Sequence, residues 1–471
     1  MRVSQVKTPP IYELGSDFYD EVDAAVFPAL KLRYRNNQAA KVIGLEQLSD
    51  VEWFEHFAQF KTLPNNIQKP LALRYHGHQF RHYNPDLGDG RGFLFAQAYG
   101  DNKLYDLGTK GSGQTPYSRR GDGRLTLKGA FREILATELL ESLGVNTSKT
   151  FSVFETGESL DRHDEPSPTR AGVLVRMSHS HIRFGTFQRL AFYNQTENIK
   201  KLMAYCIRHY YPEIANHEES EQAALFLQKV ARNIAKTVAE WIVGGFVHGV
   251  LNTDNMNITG ESFDYGPYRF LPTYDPTFTA AYFDNSGLYA FGRQPPAVYW
   301  NLHQLGGSLK VAFPEPPYEE LLEDFGDEFN IQMRAKLLSR LNLRNPLLDE
   351  AAAGELNEEL VMHFFQFMDE AKPLYEQTFF DLHSGAKAER LARSVQAQAY
   401  THPSFAKLKE TLDCFEIANE ENEQHPYFTR TKCCSLLIDE LESIWAPIAE
   451  KDDWSLFEDK LKEIRSFRGV Y

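Results

Sequence analysis

The stretch "HGVLNTDNMNITGESFDYG", residues 248–266, gathers a histidine, two aspartates and three asparagines behind an apolar run. Asn255 and Asp264 are hard oxygen donors, suited to a Mg2+ or Mn2+ ion that also binds phosphate oxygens. Asp254, beside Asn255, is placed to accept a hydroxyl proton from an acceptor. A polar loop in which Asp and Asn only make turns would use the same residues. His248, next to this apolar run, reads as a brace for the loop rather than an acid or base.

The spacing resembles the catalytic loop of a protein kinase, H-R-D-x-x-x-x-N followed by D-F-G. Counted from His248, the asparagine falls correctly at Asn255, and Asp264-Tyr265-Gly266 stands for D-F-G. The usual aspartate is replaced by Val250, and only nine positions separate Asn255 from Asp264. The loop is therefore either a dead kinase site or one rebuilt for other chemistry.

Outward from this loop, the helical pattern "EQAALFLQKVARNIAKTVAEWIVGG" leads into it, and helical patterns dominate from about residue 185. Residues 70–180 instead hold short β-like runs, "GFLFAQAYG" and "AGVLVRM", interrupted by one helix at about 127–144 that stops at Gly144. After about 340 come charged amphipathic helices. A β-rich part followed by a helical part is an α+β pattern.

The segment "TKGSGQTPYSRRGDGRLTLKGAFR", 109–132, carries six basic residues against the single acid Asp122, with four glycines before its helix. In a chain of net charge −15 this local cationic, Gly-rich cluster points to one compact anion such as a polyphosphate. "LGDGRGF" (Gly88, Gly90, Arg91, Gly92) would let backbone approach phosphates closely, although it is neither a Rossmann nor a P-loop signature. Arg176 and Arg183 in "RMSHSHIRFG" add a third basic element. The 127–144 helix is apolar most of the way round, so periodicity does not choose between Glu133 and Glu138 as a partner for Lys110.

The acidic balance argues against a nucleic-acid or anionic-membrane binder. No run reaches the roughly 18 apolar residues of a membrane span. "MRVSQVKTPPIYELGSDFYDE" has no apolar core of a secretory signal, and four cysteines in this length make no disulfide framework, so a cytoplasmic setting is expected. His76, His78 and His82, like His179 and His181, have no cysteine partner or H-E-x-x-H frame, which speaks against zinc.

Together, "YHGHQFRHYNPDLGDGRG", "LGTKGSGQTPYSRRGDGRLTLKGAFREIL", "VRMSHSHIRFGTF", "GFVHGVLNTDNMNITGESFDYGPYRFL" and "YAFGRQPPAVYWNLHQL" resemble the selenoprotein O family of protein-kinase-like adenylyltransferases. The likeness covers most of 70–310 and fades beyond about 340. It implies a kinase-like bilobal fold: an N-terminal extension (1–70), a β-rich N-lobe with the nucleotide loops (71–184), a helical C-lobe with the catalytic loop (185–340) and a helical C-terminal extension (341–471). It further implies that Lys110 contacts phosphates and is oriented by Glu133. Gly88, Gly90, Arg91, Asp122 and Gly123 match nucleotide-binding positions, and Arg176 and Arg183 match a γ-phosphate pocket. Asp254 matches the proton acceptor, and Asn255 and Asp264 match the metal ligands, Asp264 also meeting the nucleotide. The implied reaction moves AMP from flipped ATP to protein Ser, Thr or Tyr hydroxyls. UMP transfer from UTP, a conventional kinase and a non-catalytic ATP-binding scaffold are the alternatives. The family's selenocysteine- or cysteine-bearing tail has no counterpart in "RSFRGVY".

Overall fold

The computed structural model describes residues 8–163 and 165–471. It is an α+β structure organised on one eight-stranded sheet whose pairings are antiparallel. Along the sheet the strands run Tyr19–Glu21, Leu71–Leu73, Leu94–Gly100, Lys103–Lys110, Thr169–Ser178, Lys149–Leu160 and Lys31–Arg35, with the short Leu125–Thr126 strand also on Thr169–Ser178. "GFLFAQAYG" and "AGVLVRM" thus fall on strands. Asp101 and Asn102 both take left-handed conformations between Gly100 and Lys103, making the tight two-residue hairpin loop that suits twisted strands. The strands at 19–21 and 31–35 belong to the same sheet as the later ones.

Each face of the sheet is covered. One carries the helices Asn37–Val42 and Asp50–Phe57, where Trp53 and Phe57 pack on Phe151 in a smaller core. The other carries the helix Leu127–Ser142, capped by the Thr126 hydroxyl accepting from Gly129 N at 3.1 Å. This helix ends two residues before Gly144, which turns the chain with φ +73°. Its other side meets the C-terminal helices: Phe131 lies 5.3 Å from Trp445 and 5.5 Å from Phe457. Burying one such phenylalanine contributes about 1.5–3 kcal/mol.

Polar contacts fasten the same junction. Glu138 accepts from Arg465 at 2.7 Å, from Arg468 at 2.6 Å and from the Tyr34 hydroxyl. Asp452 accepts from Lys31 at 2.7 Å, Arg33 at 2.6 Å and Arg170 at 2.7 Å. The large core therefore runs without a break from Leu127 to Ile464.

Beyond the sheet the chain is mainly helical. The long helix Glu219–Val243 ends at Gly244-Gly245 and feeds the 248–266 loop. That loop is pinched at its neck, because Phe246–Val247 pairs antiparallel with Arg269–Phe270. Among the described residues no helix is long and apolar enough to cross a membrane. The four cysteines are free.

Candidate active site

Strand register creates the first pair. Lys110 lies opposite Leu174 and Arg176 opposite Gly108, so period-two alternation sets Lys110 and Arg176 diagonally on one face of the sheet. The Leu127–Ser142 helix crosses that face and supplies Glu133, which is 1% exposed. Lys110 Nζ donates to Glu133 Oε2 at 2.7 Å, and Arg176 Nε donates to Glu133 Oε1 at 3.0 Å. Glu138, a second buried acid of this helix, is turned to Tyr34, Arg465 and Arg468 instead.

Asp264 is the second focus. Its Oδ1 accepts from Lys110 Nζ at 2.8 Å and Arg176 Nη2 at 3.2 Å, and its Oδ2 lies 3.8 Å from Arg183 Nη1. Its backbone is left-handed, φ 64°, a conformation that Asp tolerates better than most residues. Burial raises its carboxyl, but Lys110, Arg176 and Arg183 together outweigh this and hold it well below the usual range. Arg183 also donates to the Asp254 carbonyl at 2.8 Å and lies over the Tyr75 ring at 4.5 Å. Asp254 lacks Asp264's ring of cations, so burial dominates and its carboxyl is raised to about 6. Its Oδ1 is buried with no hydrogen-bond partner among the described residues.

These groups line a cavity of about 660 Å3. Gly88, Gly90, Arg91, Lys110, Asp122, Gly123, Arg176, Arg183, Asp254 and Asp264 all face it. Glu133 and Asn255 stand behind this lining. The Asn255 side-chain amide donates to Val250 O at 2.9 Å, so the residue in the place of the kinase aspartate serves through its backbone. His248 Nε2 meets Phe263 O at 3.0 Å, tying the loop to the residue before Asp264.

A divalent cation fits this donor set. Asn255 spends its NH2 on Val250 and keeps its amide oxygen, Asp254 has an orphaned buried oxygen, and Asp264 is an ionised carboxylate facing the same cavity.

Two features of these segments come from the fold. The glycines of "LGDGRGF" are held against the chain itself: a Cβ at Gly88 would sit 2.3 Å from the Tyr117 ring, at Gly90 2.7 Å from Tyr117 O, and at Gly92 2.0 Å from Thr109 O. The basic residues of 109–132 divide between two cavities. Lys110, Arg119, Arg120 and Arg124 line the cavity, while Lys128 and Arg132, carried on the helix, face a neighbouring one. Arg162 and Asp89 join the site without having been singled out. Arg162 bridges to Asp122 at 2.9 Å from a distant loop and carried no local signal. Asp89, inside "LGDGRGF", lies 3.5 Å from Arg183 and was hidden among its glycines.

Comparison with known proteins assigns the class. Proteins called protein nucleotidyltransferase YdiU from Synechocystis sp. and Trichormus variabilis are 43% and 42% identical to this chain, over 97% of it and 97% and 95% of their own lengths. A third from Hahella chejuensis is 38% identical over 73% of this chain and 68% of its own. The chain falls in the class of protein nucleotidyltransferases. A family model described as protein adenylyltransferase SelO matches residues 2–465, and the chain belongs to that family. The match extends through the C-terminal helices, correcting the impression that likeness fades beyond about 340. Those helices are fixed by contacts spread thinly along the chain, such as Trp445 on Phe131, which leave no compact motif to read.

Proposed function

We propose that this chain transfers AMP from ATP to Ser, Thr or Tyr hydroxyls of proteins, on a kinase-like bilobal frame with ATP reversed relative to kinases. Residues 71–184 would form the N-lobe and 185–340 the C-lobe, with 1–70 and 341–471 as extensions. The observation carrying the reading is the buried guanidinium pair, Arg176 and Arg183, 5% and 7% exposed, at the cavity wall. Both already meet carboxylates, Arg176 those of Glu133 and Asp264 and Arg183 that of Asp89, yet Arg183 Nε is buried with no partner among the described residues, and a terminal phosphate would accept from it where an adenine ring brings no charge.

With the γ-phosphate on Arg176 and Arg183, the α-phosphorus is left for the acceptor. Lys110, oriented by Glu133, contacts the phosphates, and Gly88, Gly90, Arg91, Asp122 and Gly123 border the rest of the nucleotide. The acceptor oxygen attacks the α-phosphorus while its proton passes to Asp254. The bond from the α-phosphorus to the bridging oxygen breaks, and pyrophosphate leaves with that electron pair. The raised carboxyl of Asp254 suits a base working near neutrality. Asn255 and Asp264 would hold Mg2+ or Mn2+, which when bound neutralises phosphate charge.

The test is incubation of the protein and a bystander with ATP labelled at the α- or the γ-phosphate. Label on protein from the α-position alone is expected; label from the γ-position alone would make this a kinase, and label from neither a scaffold. Labelled UTP in parallel decides whether UMP is transferred instead.

A further inference from the structure

A second cavity, about 500 Å3, adjoins the first and shares Arg91, Lys110, Arg124 and Arg162 with it. Most of its cations have acidic partners: Lys128 holds Glu442 at 2.7 Å, Arg124 holds Glu158 at 2.9 Å, and Arg162 holds Asp122. Arg132 and Arg269 differ. Among the described residues they bond only to backbone carbonyls, and both point at the same one: Tyr268 O accepts from Arg132 Nη2 at 3.0 Å and from Arg269 Nη1 at 2.9 Å. Two guanidinium groups sharing one carbonyl dipole repel each other unless an anion joins them. Burial and the nearby Arg132 charge both lower the Arg269 pKa, as that repulsion requires.

The rim is aromatic. Tyr282 is 81% exposed and Phe283 45% exposed, and the two rings meet edge-on with centroids 5.1 Å apart, a sizeable aromatic surface left open to solvent. Phe283 lies 5.9 Å from Phe80, whose neighbour Gln79 lines the nucleotide cavity. The pair therefore stands between the two cavities. A chain of net charge −15 repels acidic partners over most of its surface, which makes a local cationic groove selective in docking them.

We propose that this groove binds an acidic segment of the acceptor protein, its carboxylates on Arg132 and Arg269 and an apolar side chain on Tyr282 and Phe283. The enzyme thereby selects hydroxyls that have acidic neighbours. The inference rests on the transfer reaction proposed above.

Two fluorescein-labelled peptides test it, one with a serine among glutamates and one with glutamines in their place. Binding to the full chain is read by anisotropy without ATP, and transfer by label from α-labelled ATP. The glutamate peptide is expected to bind about tenfold tighter, the value of two partly exposed ion pairs. Arg132→Gln and Arg269→Gln should each erase much of that difference. Tyr282→Ala, at an exposed ring that folding does not need, should weaken both peptides several-fold and serves if the arginine variants unfold. Equal binding of the two peptides to the wild-type chain overturns the proposal. So does displacement of the glutamate peptide by inorganic pyrophosphate at concentrations too low to act through ionic strength, which would assign the groove to the leaving group. Selective binding without transfer to any protein would support the groove and count against the transfer reaction.

Discussion

Replacing Arg176 by alanine is the sharpest trial of nucleotide orientation. Its guanidinium is buried, donates to Glu133 at 3.0 Å and to Asp264 at 3.2 Å, and lines the cavity. If the terminal phosphate of ATP rests on this group, removal deletes a charge-assisted hydrogen bond worth about 1.5–3 kcal/mol. That corresponds to a loss of roughly 10- to 150-fold in affinity for ATP. AMP, which does not reach the γ-phosphate position, should lose no more than about twofold, the scatter expected when a neighbouring contact relaxes. Glu133 retains Lys110 at 2.7 Å, so the lysine keeps its anchor and the fold its central ion pair. Calorimetric titration with a non-hydrolysable ATP analogue and with AMP, both with Mg2+, gives the two affinities. Arg176→Lys should restore part of the ATP affinity, since the charge returns without the planar fork. Equal losses for ATP and AMP would refute the reasoning, because Arg176 would then support the cavity without meeting its far phosphate.

Lys110→Ala and Asp264→Ala should each abolish transfer from α-labelled ATP while melting still shows a folded protein; wild-type-like turnover in either would remove that residue from the chemistry. EDTA in excess should stop transfer and added Mg2+ or Mn2+ restore it, whereas undiminished turnover would leave Asn255 and Asp264 without a metal to hold. Burial raises the Glu138 carboxyl, but Arg465 and Arg468 outweigh it and hold its pKa below the ordinary 4.5. Its stabilisation is therefore complete above pH 4.5 and lost as the pH falls through the lower folded value. Urea melts of wild type and Glu138→Gln should differ most at neutral pH and converge as the pH falls through the lowered folded-state value; a constant gap would show that Glu138 acts by shape alone.

The short-range features of the site were readable because they are local. The 248–266 loop carries Asp254, Asn255 and Asp264 in one run, and the strands and the 127–142 helix follow from hydrophobic period and a glycine stop. What joins distant segments was not readable. Periodicity could not separate Glu133 from Glu138 because both are buried, one against the sheet and the other against Arg465 and Arg468, over three hundred positions downstream. The "LGDGRGF" glycines signal close approach, but the partners they pack on, Tyr117 and Thr109, come to them only through folding. Basic residues counted along 109–132 were divided by the helix that begins at Leu127, which carries Lys128 and Arg132 to the neighbouring cavity. A one-dimensional count of charge has no access to that division.

The docking of the 438–468 segment on the Leu127–Ser142 helix has a consequence for biosynthesis. While that segment is still inside the ribosome, Phe131 faces water and Glu138 has neither arginine, so the helix that presents Glu133 to Lys110 has no outer support. The Glu133 helix therefore gains its outer support only once the last residues of the chain are available to dock on it.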